Sequence, residues 1–263
     1  MLRDYLRGVT QALVLVSCVQ YDYDMELFLF VTTIALACLL QAIVGFGSGL
    51  IAIPLSLVYL DKETVVSSML IVGIALNGLL VGRIRQPISY RLVIILFLPS
   101  LAGMPVGVWV LKTMPMNLMK IFVGGLVVLF TFMLYFHKIT FPKNNLLTAI
   151  AGFLSGLLKT STTMAGPPVL ILLAGQKLPK DEFRRTLVSF FLAMGLVSIT
   201  LFIVNRIMTL QRASFGLISI PFVVLAGLLG NRIATKVPQR PFELLALGTA
   251  FVAGIYNILS GLT

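Results

Sequence analysis

Charged residues are scarce in this chain of 263 residues. They make up 11% of the sequence, whereas 59% of it is hydrophobic, and the mean hydropathy is +1.04. A soluble domain carries about a quarter charged residues. So little charge cannot cover a globular surface, which excludes a soluble protein. The composition therefore predicts an integral membrane protein whose outer surface faces lipid.

Acidic residues are the scarcest of the charged ones. The chain has 9 Asp and Glu against 20 Lys and Arg, which gives a net charge of +11. The basic residues are spread over many short loops, as expected where Lys and Arg orient a protein in a membrane. A nucleic-acid surface would cluster them with aromatic residues. The partner that this charge indicates is the lipid bilayer, and no nucleic acid is expected.

Residues that carry catalysis or bind metals are also few. The sequence has 1 His and 2 Cys, with no CxxC or HExxH motif, and its acids lie at or near the ends of apolar segments. An enzyme active site or a metal site needs a base, an acid pair or a ligand cluster. We therefore expect no catalytic residues, no metal, no cofactor and no proton relay inside the membrane.

Long apolar segments are abundant, and two of them are interrupted. Six segments have the roughly 20 residues that cross a bilayer. The apolar block 27–60 is interrupted by GFGSG (45–49), and the block 146–174 by KTSTTMAGPP (159–168). Each block is predicted to form two short helical pieces joined by an irregular break. The uninterrupted segments are 64–82, 91–111, 118–136, 186–204, 213–231 and 241–262.

The order of segments repeats: a broken block followed by three full spans occurs twice. Marker residues recur at nearly constant spacing, which indicates an internal duplication. We expect an N-terminal interfacial segment (1–26), a first repeat (27–137), a linker (138–145) and a second repeat (146–263). A cleaved signal is the alternative for the N-terminal segment. The matched pairs are Thr64 with Thr186, Gly73 with Gly195, Gly107 with Gly230, and Pro54 with Pro168.

The predicted fold class is an all-α polytopic membrane protein with two inverted repeats. Each repeat would contain a broken, re-entrant helical hairpin and three transmembrane helices. This arrangement puts more Lys and Arg on one side of the membrane, with both termini on the outer side. Reading each broken block as one crossing or as two separate crossings gives eight or ten membrane helices, and both alternatives stay open.

The second interruption is the candidate substrate site. Under the hairpin model Lys159 lies at a tip deep in the protein, where a charge is costly unless it is functional or paired. With no carboxylate nearby in the sequence, the expected partner is an anion from solution, bound also by hydroxyls and by helix N-termini. The candidate substrate-binding residues are Lys159, Thr160, Ser161, Thr162, Thr163, Gly166, Pro167, Pro168, Gly45, Phe46, Gly47, Ser48, Gly49, Pro54 and Asn77.

Structural roles are open for the same residues. Ser and Thr in membrane helices commonly bond to their own backbone, and a lysine near an interface can extend to water. The glycines at 45, 47 and 49 also suit close helix packing, and Asn77 suits an interhelical hydrogen bond.

The interrupted segments resemble those of the TauE/SafE family of sulfite and organosulfonate exporters. The resemblance rests on QAIVGFGSGLIAIPLSL (41–57), STTMAGPPVLILL (161–173) and FRRTLVSFF (183–191), with Gly103, Gly107 and Pro115. It covers about residues 27–262. It implies transport of a small anion containing sulfur or carboxylate across a bacterial inner membrane. The sequence departs from the family pattern at KTSTTMA, which leaves the anion open.

Transport mechanism is the remaining expectation. An inside-negative potential drives anions outward, so a monovalent anion exporter could run as a uniporter with alternating access. An ion-coupled importer of a carboxylate or sulfonate, and a membrane scaffold protein without transport activity, are the alternatives. GxxxG spacings such as Gly45 and Gly49 allow packing within one chain or in a homodimer.

Overall fold

Helices make up most of the described chain. The structure, a computed structural model, describes residues 24–42, 48–83, 88–136, 144–174, 180–234 and 239–263, and this part contains no strand. Its helices are α1 (Asp24–Ala42), α2 (Ser48–Ser56), α3 (Lys62–Arg83), α4 (Tyr90–Thr113), α5 (Met116–Phe136), α6 (Asn145–Thr162), α7 (Gly166–Ala174), α8 (Lys180–Val204), α9 (Leu210–Ala234) and α10 (Gln239–Leu262).

Six of these helices are long and apolar enough to cross a membrane. They are α1, α3, α4, α5, α8 and α9, and the described apolar part of α10 is shorter, from Leu247 to Leu262. The all-helical membrane fold is confirmed. Two of the predicted short pieces are long helices instead, because α1 has 19 residues and α6 has 18. Large apolar side chains such as Trp109, Phe132 and Val252 are exposed, as a lipid-facing surface requires.

Glycines bring α4 and α6 into backbone contact. A Cβ atom on Gly103 would lie 2.1 Å from the Phe153 carbonyl oxygen, and one on Gly156 would lie 2.1 Å from the Ser100 carbonyl oxygen. Apolar side chains gain little by leaving lipid for one another, so small residues and close backbones hold such helices together. Across these contacts the residue numbers of α4 and α6 increase in the same direction, so the two helices run parallel.

A second parallel pair joins α1 to α9. Phe30 packs edge-on against Phe215 near the start of both helices, with ring centroids 5.7 Å apart. Further along, Gly230 lies against the Leu39 carbonyl oxygen and the Ala42 side chain. This pair is the counterpart of the first: a hairpin helix of one repeat packs on the second long helix of the other.

Helix directions agree with inverted repeats. The α5 and α10 helices are antiparallel, since Gly124 meets Gly254 while Gly261 meets Asn117. The α3 helix runs parallel to α9, because Gly216 meets Ser68 and Gly227 meets Leu76. Since α1 and α3 are both parallel to α9, the chain must turn back between them, and α2 is the returning arm of a hairpin.

Contacts between helices give a different repeat spacing from the one predicted for the first part of each repeat. Gly107 lies against Leu157 and Thr160, and its counterpart Gly230 lies against Leu39 and Ala42. Positions 157 and 39 are 118 apart, as are 160 and 42. Likewise Ser68 bonds to the backbone of Arg212, and Thr186, 118 positions later, bonds to the backbone of Ser89.

Two of the predicted pairs therefore do not occupy equivalent positions in the two repeats: Pro54 with Pro168, at a spacing of 114, and Gly73 with Gly195, at a spacing of 122. Those pairs were chosen because their residue types are identical. A structural repeat preserves positions in a packed helix pair even where the residue types differ. The spacing of 118 makes Gln41, at the end of α1, the counterpart of Lys159 in α6.

Candidate functional site

The two helical hairpins meet where α2 begins and α6 ends. We call the region from Gln41 to Gly49 the first tip and the region from Lys159 to Gly166 the second tip. A Cβ atom on Gly49 would lie 4.0 Å from the carbonyl oxygen of Thr163. Met164, in the second tip, belongs to the same buried cluster as Leu50 and Ile53 of α2. The two interruptions of the sequence are therefore neighbours in the fold.

Lys159 is buried at this meeting point. Only 5% of the residue is exposed, and it lies in the last turn of α6. Its Nζ atom would be 3.7 Å from a Cβ atom on Gly73 of α3, the nearest group to that position. Among the described residues, no hydrogen bond or ion pair of this ammonium is found. The arrangement leaves a buried positive charge next to Gly73, whose lack of a side chain lets the ammonium approach α3 closely.

Three of the four hydroxyls near Lys159 bond to backbone carbonyls. Thr160 Oγ1 donates to the Met104 carbonyl oxygen of α4 at 2.7 Å, which links the parallel helices. Ser161 Oγ and Thr162 Oγ1 donate to carbonyls one turn earlier in α6, at 2.8 and 3.0 Å. A hydroxyl has one proton to donate. These three side chains therefore act as structural groups in this conformation, as the alternative interpretation of the sequence proposed.

Helix α6 includes Lys159 to Thr162, so the irregular break is shorter than the sequence indicated. The break consists of Thr163, Met164 and Ala165. Thr163 ends α6 in the left-handed conformation with φ 57°, and its N–H donates to the Lys159 carbonyl oxygen at 3.1 Å. A β-branched residue rarely adopts this conformation. The Thr163 hydroxyl is buried and has no partner among the described residues.

The start of α7 has few backbone donors. The first four N–H groups of a helix have no partner within it. The α7 helix begins at Gly166, and Pro167 and Pro168 have no N–H. Val169 is fully buried, whereas Gly166 is partly exposed. Gly166 therefore supplies the one backbone donor near the surface of the second tip.

The first N–H group of α2 has an acceptor within the protein. Ser48, its first residue, donates its N–H to the Gln41 side-chain oxygen at 3.1 Å. Sequence analysis missed Gln41, although the spacing of 118 that relates it to Lys159 could have been tested on the sequence. Gly49 faces the second tip, as described above. Gly45, Phe46 and Gly47 lie outside the described residues.

The other two predicted residues lie at different distances from the tips. Asn77 is one helical turn after Gly73, on the face of α3 that approaches Lys159. Pro54 is buried inside α2, and its carbonyl oxygen accepts a hydrogen bond of 2.7 Å from Asn257 Nδ2 of α10. Pro54 therefore anchors the short helix away from the tip.

Charged residues cluster at one end of the helices instead. Arg212 at the start of α9 forms an ion pair of 2.5 Å with Glu63 and lies 3.9 Å from Asp61, while Lys62 donates to the Met114 carbonyl oxygen. These groups are partly exposed. The described residues contain no group of three or more His, Cys, Asp or Glu side chains that could hold a metal ion.

The family model of the sulfite exporter TauE/SafE family matches residues 30–257. The match covers both hairpins and most of the long helices. The chain belongs to the TauE/SafE family. It is accordingly a multi-pass membrane protein of a transporter family. Comparison with curated proteins and with solved structures found no match.

Proposed function

We propose that this TauE/SafE protein exports a small oxyanion, such as sulfite or an organosulfonate, across a bacterial inner membrane. The observation that carries the proposal is the Lys159 ammonium, which is buried where the two hairpins meet and has no counter-charge among the described residues. An isolated charge at such depth destabilises the fold unless a ligand compensates it. A transported anion supplies that compensation.

The electrostatic attraction at this site is strong enough to bind an anion and weak enough to release it. At 4 Å and an effective dielectric of about 20, an ammonium and a monovalent anion attract each other by about 4 kcal/mol. That energy offsets part of the cost of removing the anion from water, and it does not prevent release. Nζ lies beside Gly73, which has no side chain to exclude an anion, and Asn77 lies one turn further along the same helix face.

Hairpin tips suit alternating access. The tips belong to opposite repeats, and α1 and α6 each pack on a long helix of the other repeat. Rocking of one hairpin–helix pair against the other opens the space around Lys159 to one side and then to the other. The membrane potential supplies about 2.3 kcal/mol per 100 mV for each negative charge that moves outward.

Flux into proteoliposomes tests the proposal. Labelled sulfite or methanesulfonate is followed while a potassium gradient with valinomycin sets a potential of either sign. We expect movement of the anion towards the positive side and reversal when the sign of the potential is reversed. Flux that ignores the sign contradicts uniport, and flux that needs a sodium or proton gradient indicates coupled transport.

Lys159→Met tests the site in the same assay, with Lys112→Met as the matched control. Lys112 is exposed at the end of α4, where its Nζ atom lies 3.4 Å from the Asn205 carbonyl oxygen. We expect Lys159→Met to lose the flux and Lys112→Met to retain it. Equal flux in both variants overturns the assignment of Lys159.

A further inference from the structure

The backbone that carries Lys159 is fixed to α4. Thr160, the next residue, donates its hydroxyl to the Met104 carbonyl oxygen of α4 at 2.7 Å. A Cβ atom on Gly107 would lie 2.1 Å from the Leu157 carbonyl oxygen, so the last turns of α6 are in backbone contact with α4. Interfaces packed this closely transmit movement from one helix to the other. We call these two helices the α4–α6 unit.

The residue beside the ammonium belongs to a different pair of helices. Nζ of Lys159 would lie 3.7 Å from a Cβ atom on Gly73 of α3. Five positions before Gly73, the α3 helix is in backbone contact with α9, because a Cβ atom on Gly216 would lie 2.8 Å from the Ser68 carbonyl oxygen. Ser68 also donates its hydroxyl to the Arg212 carbonyl oxygen at 2.8 Å. The ammonium therefore lies where the α4–α6 unit meets an α3–α9 unit.

The acidic residues of α3 and of the turn before it do not neutralise this ammonium. Glu63 and Asp61 face Arg212 at the start of α9, at 2.5 and 3.9 Å. Lys159 is 5% exposed and has no hydrogen bond or ion pair among the described residues. When the two units close around Lys159, as they are in this structure, a positive charge leaves water without a counter-charge. Such closure is strongly unfavourable.

From this position of the charge we propose that the protein exchanges anions across the membrane faster than it exports them. The inference rests on the proposed function. In alternating access the site closes over Lys159 twice in each cycle, once on the way out and once on the way back. A bound anion pairs the ammonium during closure, whereas the empty site closes over a bare charge. Return of the empty site therefore limits net export, and an anion that binds from the far side removes this limit.

Release of a proton is the other route by which a lysine can return at low cost. An amine that gave its proton to the outer solution would return neutral and take up a proton from the inner solution. Each exported anion would then leave together with one proton. The ammonium that keeps its proton moves none, so the pH of the inner solution distinguishes the two routes.

Efflux from proteoliposomes tests the proposal. Vesicles containing the full-length protein are loaded with labelled methanesulfonate, a strong-acid anion that does not cross a bilayer as its neutral acid. Equal potassium on both sides with valinomycin holds the potential at zero. The outer solution contains either unlabelled methanesulfonate or polyglutamate, which is too large to be carried.

We expect initial efflux into methanesulfonate to be about tenfold faster than efflux into polyglutamate. A pH dye trapped in the vesicles should report no change during efflux into polyglutamate. Equal or slower efflux into methanesulfonate overturns the proposal. An inner solution that becomes alkaline during efflux also overturns it, because the lysine then returns neutral.

Lys159→Gln tests whether the ammonium causes the acceleration, and Lys112→Gln, at an exposed lysine near the end of α4, is the control. We expect the residual efflux of Lys159→Gln to lose the acceleration and Lys112→Gln to keep it at about tenfold. Residual efflux of Lys159→Gln that is still accelerated tenfold overturns the role of Lys159. Where this efflux is too slow to measure, the inner pH of wild-type vesicles decides.

The same assay separates this inference from the function beneath it. If wild-type protein carries methanesulfonate without acceleration, the inference fails and the proposed function stands. If it carries neither methanesulfonate nor sulfite in either outer solution, the proposed function itself fails.

Discussion

The first and second tips are built on the same helical plan and satisfy their backbone groups differently. The first tip binds the N–H of Ser48 through Gln41, and Asn257 of α10 holds the carbonyl of Pro54 behind it. The second tip leaves the Lys159 ammonium, the Thr163 hydroxyl and the Gly166 N–H without acceptors among the described residues. If the second tip binds the anion as we propose, one copy of the duplicated hairpin supports the fold and the other copy binds the ligand.

A substitution that makes the two tips alike should reduce anion flux the most. In Lys159→Gln, the new amide oxygen can accept from the Gly166 N–H as Gln41 does from Ser48. We expect anion flux to fall by about a hundredfold, which corresponds to about 2.7 kcal/mol, because the one charged side chain that is buried in the described part of the chain is lost. Thermal stability in detergent should not fall, since a costly buried ammonium is removed.

Lys112→Gln is the control for this substitution, with flux and melting temperature expected to match those of wild type. Retention of wild-type flux by Lys159→Gln would show that the charge at the second tip does not bind the substrate. A large loss of melting temperature would show that Lys159 stabilises the fold through a partner.

Filling the space beside the ammonium should have the next largest effect. Gly73→Leu puts a side chain next to the ammonium, because even its Cβ atom would lie 3.7 Å from Nζ. We therefore expect flux to fall by about tenfold. Gly78→Leu is the matched control on the same helix, because no atom lies within 4 Å of its Cβ position. Equal flux in the two variants would contradict a binding space at Gly73.

The two parallel helix pairs should differ in their tolerance of one methyl group. Gly107→Ala would put a Cβ atom 2.1 Å from a backbone carbonyl oxygen, whereas Gly230→Ala would put one 2.6 Å from the Ala42 Cβ atom and 2.8 Å from the Leu39 carbonyl oxygen, a less severe overlap. We expect losses of about 3 and about 1 kcal/mol in the free energy of unfolding. Denaturation in detergent measures both, and Gly125→Ala, which meets nothing within 4 Å, should be neutral.

Removing the strained threonine should have the smallest effect. Thr163→Gly relieves the left-handed conformation, and the residue 118 positions earlier, Gly45, is already glycine. We expect stability to rise by about 0.5–1 kcal/mol. Anion affinity should fall by about threefold, because an unpartnered hydroxyl is lost.

Arg206→Gly separates these two effects. Arg206 has the same φ of 57° but is exposed in the turn that follows α8. We expect its replacement to raise stability similarly without changing affinity in ligand-induced thermal shifts. Unchanged affinity in Thr163→Gly would exclude its hydroxyl from the site.

Most of the membrane architecture could be predicted from the sequence. Apolar runs of bilayer length identify long helices because the backbone in lipid must bond within its own segment. The interruption at KTSTTMAGPP was predicted to be an irregular break, but α6 continues through Thr162 because serine and threonine hydroxyls can bond within a helix. Hydroxyl-rich sequence alone does not distinguish an unwound segment from such a helix.

Composition and order along the chain thus determined that this protein lies in a membrane, that it has two interrupted apolar blocks, and that a single lysine falls in one of the interruptions. Tertiary structure decided which residues are equivalent between the repeats, that the tips touch, and that Gln41 and Lys159 occupy equivalent positions in the two repeats. The physical reason is that lipid solvation acts on each segment separately and can be read along the chain. Helix packing depends on which small residues meet across segments more than a hundred positions apart.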